Sequence, residues 1–305
     1  MGAKITRSSQ VDFKALETFL WIVRLGSFRA AAIRLNTTQP SVSARIAMLE
    51  QALGVSLFER AGRSARLTVQ GRELRGYAER LIDVRNELLA SVADPARLQG
   101  TIRLGVAETI VHTWLPDLMR RLSESFPSVA LELEVDTSGN LRDALVRQDL
   151  DVAFLLGPVS QPEIVNVELC DYALTWVANP SLDLPVEAAT LQQLARFPII
   201  TYTRMTRPHL ALAEMFRAVE PRPRINASSS LSTIVRMVTQ GIGISAIPLE
   251  IVQAELTRGE LVALAPEPAA RLPDLHFTAS YPINPNGALS RSVVDLASEV
   301  ATSDR

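Results

Sequence analysis

Apolar residues recur along this chain in three rhythms, and the changes of rhythm mark its parts. Between Asp12 and Gly26, Phe13, Leu16, Phe19, Leu20 and Val23 form one apolar stripe at helical spacing, with Asp12 placed to cap the helix and Gly26 to end it. Further on, Val42, Ile46, Leu49 and Leu53 recur at steps of four, three and four, so they share the inward face of another helix. Pro40, Ser43, Ala44 and Ala47 fall on its opposite side. Pro40 suits the first turn, where a missing N–H is harmless, and Thr38 or Gln39 can cap it. Ahead of it, Ser27 can cap a short helix over residues 28–35, whose small Ala30 and Ala31 permit close helix approach. A short helix, a tight turn and a second helix with a polar outer face make a helix-turn-helix. In that motif the second helix enters the major groove of DNA.

Gly54 closes this helix, and Leu57 and Phe58 return the chain to the core. Residues 59–67 carry Arg60, Arg63 and Arg66 around Gly62 and read as a two-stranded wing, its arginines placed for phosphates. Thr68 can cap a long helix running to about residue 93. Along it Leu74, Tyr77, Leu81, Val84 and Leu88 alternate by three and four, the spacing of a coiled-coil seam, which asks for a partner: a second copy of the chain, or the chain's own body. Asp94 and Pro95 break the helix, and 94–100 read as a hinge. Beyond it the rhythm becomes strand-like, near 101–106, 129–135, 151–156, 174–178, 198–202, 224–228, 244–247, 261–264 and 275–281. Helical stretches fall between, including about 110–125, 139–148, 208–218, 231–240 and 288–301. That alternation predicts an α/β body with a largely parallel sheet, in two lobes.

Charge sharpens the division. Residues 1–93 hold 14 Lys+Arg against 8 Asp+Glu, a net of +6, and the remainder hold 17 against 25, a net of -8. A basic head on an acidic body suggests that the head alone meets a polyanion. Cys170 is the single cysteine, so no disulfide within the chain and no cysteine-rich metal site is expected. His112, His209 and His276 are widely spaced and fit no ligand motif, and no nucleophile–base–acid grouping is legible, which opposes an enzyme. Residues 1–10 read as a disordered lead-in without the apolar run of a signal peptide, and no stretch is long and apolar enough to span a membrane. These features favour a cytoplasmic protein over a solute-binding transport component.

From Val11 to about Ala90 the chain resembles the bacterial LysR-type transcriptional regulators. The resemblance is carried by Ala30-Ala31 with Leu35, Thr38-Gln39-Pro40-Ser41-Val42-Ser43, Leu49-Glu50, Leu53-Gly54, Leu57-Phe58-Glu59-Arg60, Arg63, and Leu67-Thr68 with Gly71. It continues through the body at Leu104-Gly105, at Asp149-Leu150-Asp151-Val152-Ala153 and in the stretch around Gly241-Ile242-Gly243-Ile244 that ends at Pro248. It implies an α/β protein with an all-α N-terminal part. The winged helix-turn-helix would occupy 1–68, a dimerising linker helix 69–93, and a two-lobed effector-binding domain of periplasmic-binding-protein type 101–305. Lobe I would comprise about 101–168 and 274–305, lobe II about 169–273. The implied partners are double-stranded promoter DNA, a small effector between the lobes, further copies of the chain as a dimer of dimers (a homotetramer), and RNA polymerase. No cofactor or metal is implied. Candidate DNA contacts are Ser27, Arg34, Thr38, Gln39, Pro40, Ser41, Ser43, Arg45 and the wing arginines. One departure is Ala44, where the family often has a long polar side chain. Arg45 points sideways, towards phosphate rather than a base edge.

In α/β sheets of this kind ligands lie beyond the carboxyl ends of strands, often at helix N-termini. That rule selects Glu108 and Thr109, Thr137 and Ser138 after Asp136, Thr203 and Arg204, Ser229 beside Ser230, and Ile247 with Pro248. Converging hydroxyls and free N–H groups favour a small organic acid, to which Arg204 could add a bidentate contact. Glu108 and Asp136 fit a dianion poorly; they either face solvent or pair with an amino or hydroxyl group of the ligand. For the wing, replacing Arg60 or Arg63 by Ala is expected to weaken binding to all DNA sequences and to lower the salt slope by about 0.9 for each lost phosphate contact. An unchanged slope in a salt titration would remove the wing from the interface.

Overall fold

The computed structural model describes residues 11–59, 65–92, 100–283 and 287–303. They form two compact units, the first drawn mainly from residues before Pro95 and the second mainly from Pro95 onward. The expected lead-in at 1–10, the wing tip with Arg60 and Arg63, and most of the hinge at 94–100 lie outside the described residues.

The first unit is helical. Helix α1 (Phe13–Leu25) starts where Asp12 accepts a hydrogen bond from the Ala15 N–H at 2.6 Å and stops at Gly26, whose left-handed φ of 62° suits glycine. Helix α2 (Phe28–Arg34) is capped by Ser27, and α3 (Gln39–Leu53) by Thr38. Phe19, Leu20, Trp21, Val42, Ile46, Leu49 and Leu57 form the buried core. Phe58 closes it against Phe19 and Phe28, with ring centroids 5.5 and 5.2 Å away. The return of the chain after α3 is held by Glu50, whose Oε1 accepts from the N–H groups of Leu57 and Phe58 at 2.6 and 3.3 Å. Phe58 and Leu67 then form an antiparallel bridge, and Glu59 N–H donates to the Arg66 carbonyl at 2.8 Å, which makes the base of the wing.

Helix α4 (Val69–Val92) follows, its start capped by Thr68, which accepts from Gly71 N–H at 3.0 Å. The helix divides its apolar residues between two faces. Ala78 and Ile82 are buried in the first unit's core with Leu74 packed beside them, and Arg85 forms an ion pair with Glu17 of α1. Tyr77, Leu81, Val84 and Leu88 lie on another face and are 54%, 49%, 63% and 58% exposed.

The second unit is α/β. It contains β1 (Gly100–Val106), α5 (Glu108–Val111), α6 (Leu115–Ser125), β2 (Val129–Val135), α7 (Ser138–Val146), β3 (Val152–Leu156), β4 (Ile164–Tyr172) and β5 (Thr175–Ala178). It continues through β6 (Glu187–Ala189), α8 (Leu191–Leu194), β7 (Ile199–Tyr202), α9 (Arg207–Met215), β8 (Ile225–Ser228), α10 (Leu231–Thr239) and β9 (Ser245–Ile247). The last elements are α11 (Gln253–Thr257), β10 (Val262–Pro266), β11 (Leu275–Pro282) and α12 (Gly287–Ser303).

Its first lobe is a five-stranded sheet in the order β2-β1-β3-β11-β4. Val293, Val294, Ala297, Val300 and Ala301 of α12 are buried. The second lobe holds a sheet ordered β6-β10-β5-β9 and the parallel pair β7-β8. Strands β4 and β11 pair antiparallel from Tyr172–Leu275 to Ile164–Pro282, and through them the chain leaves and re-enters the first lobe. The expectation of a largely parallel sheet is corrected here. β2, β1 and β3 run parallel, but β11 is antiparallel to both neighbours and β10-β5-β9 is antiparallel throughout. Strands β4 and β6 carry no clear strand rhythm in the sequence.

Close backbone approach explains two glycines. A Cβ on Gly243 would stand 2.2 Å from the Pro198 carbonyl oxygen, where the chain runs alongside β7. A Cβ on Gly71 would stand 2.2 Å from the Leu57 carbonyl oxygen, at the junction of α4 with the wing. Gly71→Ala is therefore expected to destabilise the first unit by about 1–3 kcal/mol, the usual cost of forced overpacking. Chemical denaturation monitored by tryptophan fluorescence checks this, and an unshifted midpoint would show that the junction yields freely.

Candidate functional site

The outer surface of α3 is built by its start. Thr38 Oγ1 accepts from Ser41 N–H at 3.4 Å and shares a 2.9 Å hydrogen bond with the Ser41 hydroxyl. Thr38, Gln39, Pro40, Ser41, Ser43 and Ala44 are all exposed, while Val42, Ile46 and Leu49 hold the helix down. A positive helix end flanked by small hydroxyls is suited to phosphate and to base edges. Arg45 is drawn back: its Nη1 donates to Thr18 Oγ1 on α1 at 2.9 Å. Arg34 stacks over the Trp21 ring at 4.8 Å, Ser27 is occupied in capping α2, and Arg66 is exposed at the wing base. The candidates on α3 therefore share one surface, whereas Ser27 and Arg34 also serve the fold.

In the second unit a cavity of about 440 Å³ opens at the carboxyl ends of β1, β2, β3, β7 and β8. That volume falls in the range of small-ligand sites, about 300–1,000 Å³. Of the candidates, Glu108, Thr109, Thr137, Ser138, Thr203 and Ser229 line it. Three do not. Arg204 is exposed on the turn after β7, Ile247 is fully buried in the second lobe's core, and Pro248 is buried just beyond it. Ile247 belongs to the side of β9 that packs with Val177, Leu231 and Ile234, so its strand end turns inward.

Other lining residues were not singled out. Tyr202, Thr206 and Ser228 adjoin chosen positions and follow from the same strand-end rule. Leu275 and Phe277 do not. They open β11, and because β11 is antiparallel to β3 its beginning lies beside the end of β3, with Phe277 opposite Leu156. Only the correct strand direction would have revealed them.

Both lobes contribute to this cavity, and side chains bridge them. Glu108, at the first turn of α5, reaches the start of α10: its Oε2 accepts from Leu231 N–H at 2.6 Å and its Oε1 from the Ser230 hydroxyl at 3.4 Å. His112 Nε2 lies 3.2 Å from Ser232 Oγ and 3.7 Å from Glu108 Oε1. Arg207 Nη1 donates to the Gly157 carbonyl at 3.0 Å. Tyr202 sits in the wall. Its hydroxyl is buried beside Thr109. Burial first of all pushes its pKa well above the usual phenol value; a hydrogen bond with Thr109 opposes this and the nearby Glu108 charge adds a smaller push, so it remains a protonated donor.

Among the described residues no three His, Cys, Asp or Glu side chains are grouped to hold a metal ion. No helix among them is long and apolar enough to cross a membrane.

A helix-turn-helix head and a two-lobed ligand-binding body together define a class, the ligand-responsive DNA-binding regulators. Comparison with known proteins narrows it. Residues 13–72 match the bacterial regulatory helix-turn-helix proteins of the lysR family, and residues 95–301 match the LysR substrate binding domain. The regulator PtxR of Pseudomonas aeruginosa is 30% identical over 288 residues, covering 92% of this chain and 90% of that protein. GltR of Bacillus subtilis is 27% identical over 252 residues, covering 82% of this chain and 84% of that protein. The structure of full-length OxyR from Pseudomonas aeruginosa superposes with a TM-score of 0.58 at 21% identity, covering 94% of this chain and 95% of that one. The chain belongs to the LysR family: it is a DNA-binding transcriptional regulator with an effector-binding domain, not an enzyme.

Ser43 stands on the exposed surface of α3 without a partner among the described residues. Ser43→Ala is expected to change preference among operator variants by roughly 1–3 kcal/mol at the contacted base pair, the worth of one base contact. Competition binding with a set of operator variants checks this. Equal weakening on every operator would assign Ser43 to the backbone.

Proposed function

We propose that this regulator binds promoter DNA as a dimer, or a dimer of dimers, and that a small organic acid bound between the lobes changes how the promoter is bound and bent. The observation that carries the reading is the cavity itself, walled by strand ends of both lobes and lined by hydroxyls and the start of α7. These groups donate hydrogen bonds to a carboxylate without a full positive charge. Dimerisation is supported by α4, where Tyr77, Leu81, Val84 and Leu88 keep coiled-coil spacing on a face that the first unit does not cover. The DNA contacts are assigned to Thr38, Gln39, Pro40, Ser41 and Ser43, with Arg66 and the other wing arginines on phosphate. A DNA-bound regulator of this kind acts in the cytoplasm, with RNA polymerase as its natural partner at the promoter.

A melting-temperature screen of the full chain against small carboxylates, amines and neutral metabolites tests the effector class. The expected result is stabilisation by at least one carboxylate, and the same compound should alter the footprint on the promoter upstream of a neighbouring gene. Stabilisation by amines or neutral molecules alone would sink the reading.

A further inference from the structure

The charge of the cavity is one-sided. Glu108 and Asp136 are its acids, and no lysine, arginine or histidine is among the described residues that line it. Glu108 is committed: its carboxylate already sits at the start of α10, which would otherwise be the natural place for a ligand anion. Asp136 is different. Its Oδ1 accepts from Thr137 N–H at 2.6 Å and from Asn140 Nδ2 at 2.9 Å, and its Oδ2 has no hydrogen bond or ion pair among the described residues.

Two residues further on, α7 begins. Of its first N–H groups only that of Asn140 is capped, by Thr137 Oγ1 at 3.4 Å, so Ser138 and Gly139 still have donors to offer. Ser138 lines the cavity, and Gly139 follows it on the exposed first turn. One rim of the cavity therefore presents a carboxylate oxygen beside the Ser138 N–H, with that of Gly139 next along the helix.

We infer that the effector is an α-amino acid or a near relative, with its ammonium on Asp136 Oδ2 and its carboxylate on the Ser138 and Gly139 N–H groups. Its side chain would lie along Val135, Leu156, Leu275 and Phe277, the apolar part of the wall. This rests on the carboxylate reading above and narrows it. A simple organic acid brought to the start of α7 meets Asp136 with no cation to offset the repulsion. A ligand that carries its own ammonium turns the same contact into an attraction. A bare amine leaves the donors of α7 unused.

Calorimetric titration of the full chain with the common L-amino acids, each paired with its deamino acid (isocaproate beside leucine, phenylpropanoate beside phenylalanine), tests the inference. At least one amino acid is expected to bind about tenfold or more tightly than its partner, about 1.4 kcal/mol. Asp136→Asn is expected to reduce that ratio to about threefold or less. The paired comparison on the unaltered chain decides the matter even if this variant folds poorly. A deamino acid that binds as tightly as its parent overturns the inference and leaves the carboxylate reading standing. Failure of every amino acid to bind, while another acid raises the melting temperature, overturns it in the same way. If no carboxylate of any kind binds, both readings fall.

Discussion

A helix begins with N–H groups that find no partner within it, and something else must accept their hydrogen bonds. Much of this chain's organisation follows from how that requirement is met. At several helices a nearby side chain meets it: Asp12 for α1, Ser27 for α2, and the reciprocal Thr190–Gln193 pair for α8. At α10 Ser230 takes the Thr233 N–H, and the Leu231 N–H finds its acceptor in the other lobe, Glu108. At α3 and α7 the local caps, Thr38 and Thr137, each take one N–H at 3.4 Å, and the start of α3 faces solvent and that of α7 the cavity. The starts of α5, α6, α9 and α11 carry no side-chain cap among the described residues, and those of α5 and α9 adjoin the cavity, which Glu108 and Pro208 help to line.

The second consequence concerns the lobes. Strands β4 and β11 join them covalently, and a paired antiparallel ladder of that length leaves little freedom along its own axis. What remains adjustable is the approach of the cavity walls, held by Glu108 to α10, by His112 to Ser232 and by Arg207 to Gly157. A ligand shifts such an arrangement only by binding one spacing of the walls better than another. Glu108 is where that preference can act, because it lines the cavity and also carries the bond across it.

Much of this was legible in the sequence because its signals were local. The caps at Asp12, Ser27, Thr38 and Thr68 and the apolar steps of α3 each lie within a few residues of what they determine. The misses have non-local causes. Strand β4 mixes Asn166, Glu168 and Asp171 with apolar residues and resembles neither a buried nor an amphipathic strand, because it crosses between lobes. Its partner β11 is antiparallel, so Leu275 and Phe277 reach the cavity from a strand beginning, where the strand-end rule does not look. Arg204 failed for a simpler reason: a residue just past a strand can point either way, and here it faces solvent. The heptad positions of α4 divide between two faces, Leu74 turning to the first unit's core while Tyr77, Leu81, Val84 and Leu88 do not.

The head raises the question of where sequence specificity comes from. The exposed surface of α3 offers hydroxyls, one amide and the Ala44 methyl, and its only arginine is bound to Thr18. Short side chains reach few base edges, and none here makes the bidentate arginine contact that reads guanine most strongly. A head of this kind discriminates weakly at any one half-site. On the proposed reading, selectivity then passes to the spacing of half-sites and the ease with which the intervening DNA bends. Both are properties of an assembly rather than of one head. On the proposed reading this is what makes a ligand between the lobes effective: a change in the relation of paired heads alters the larger share of the discrimination, with α3 itself unchanged.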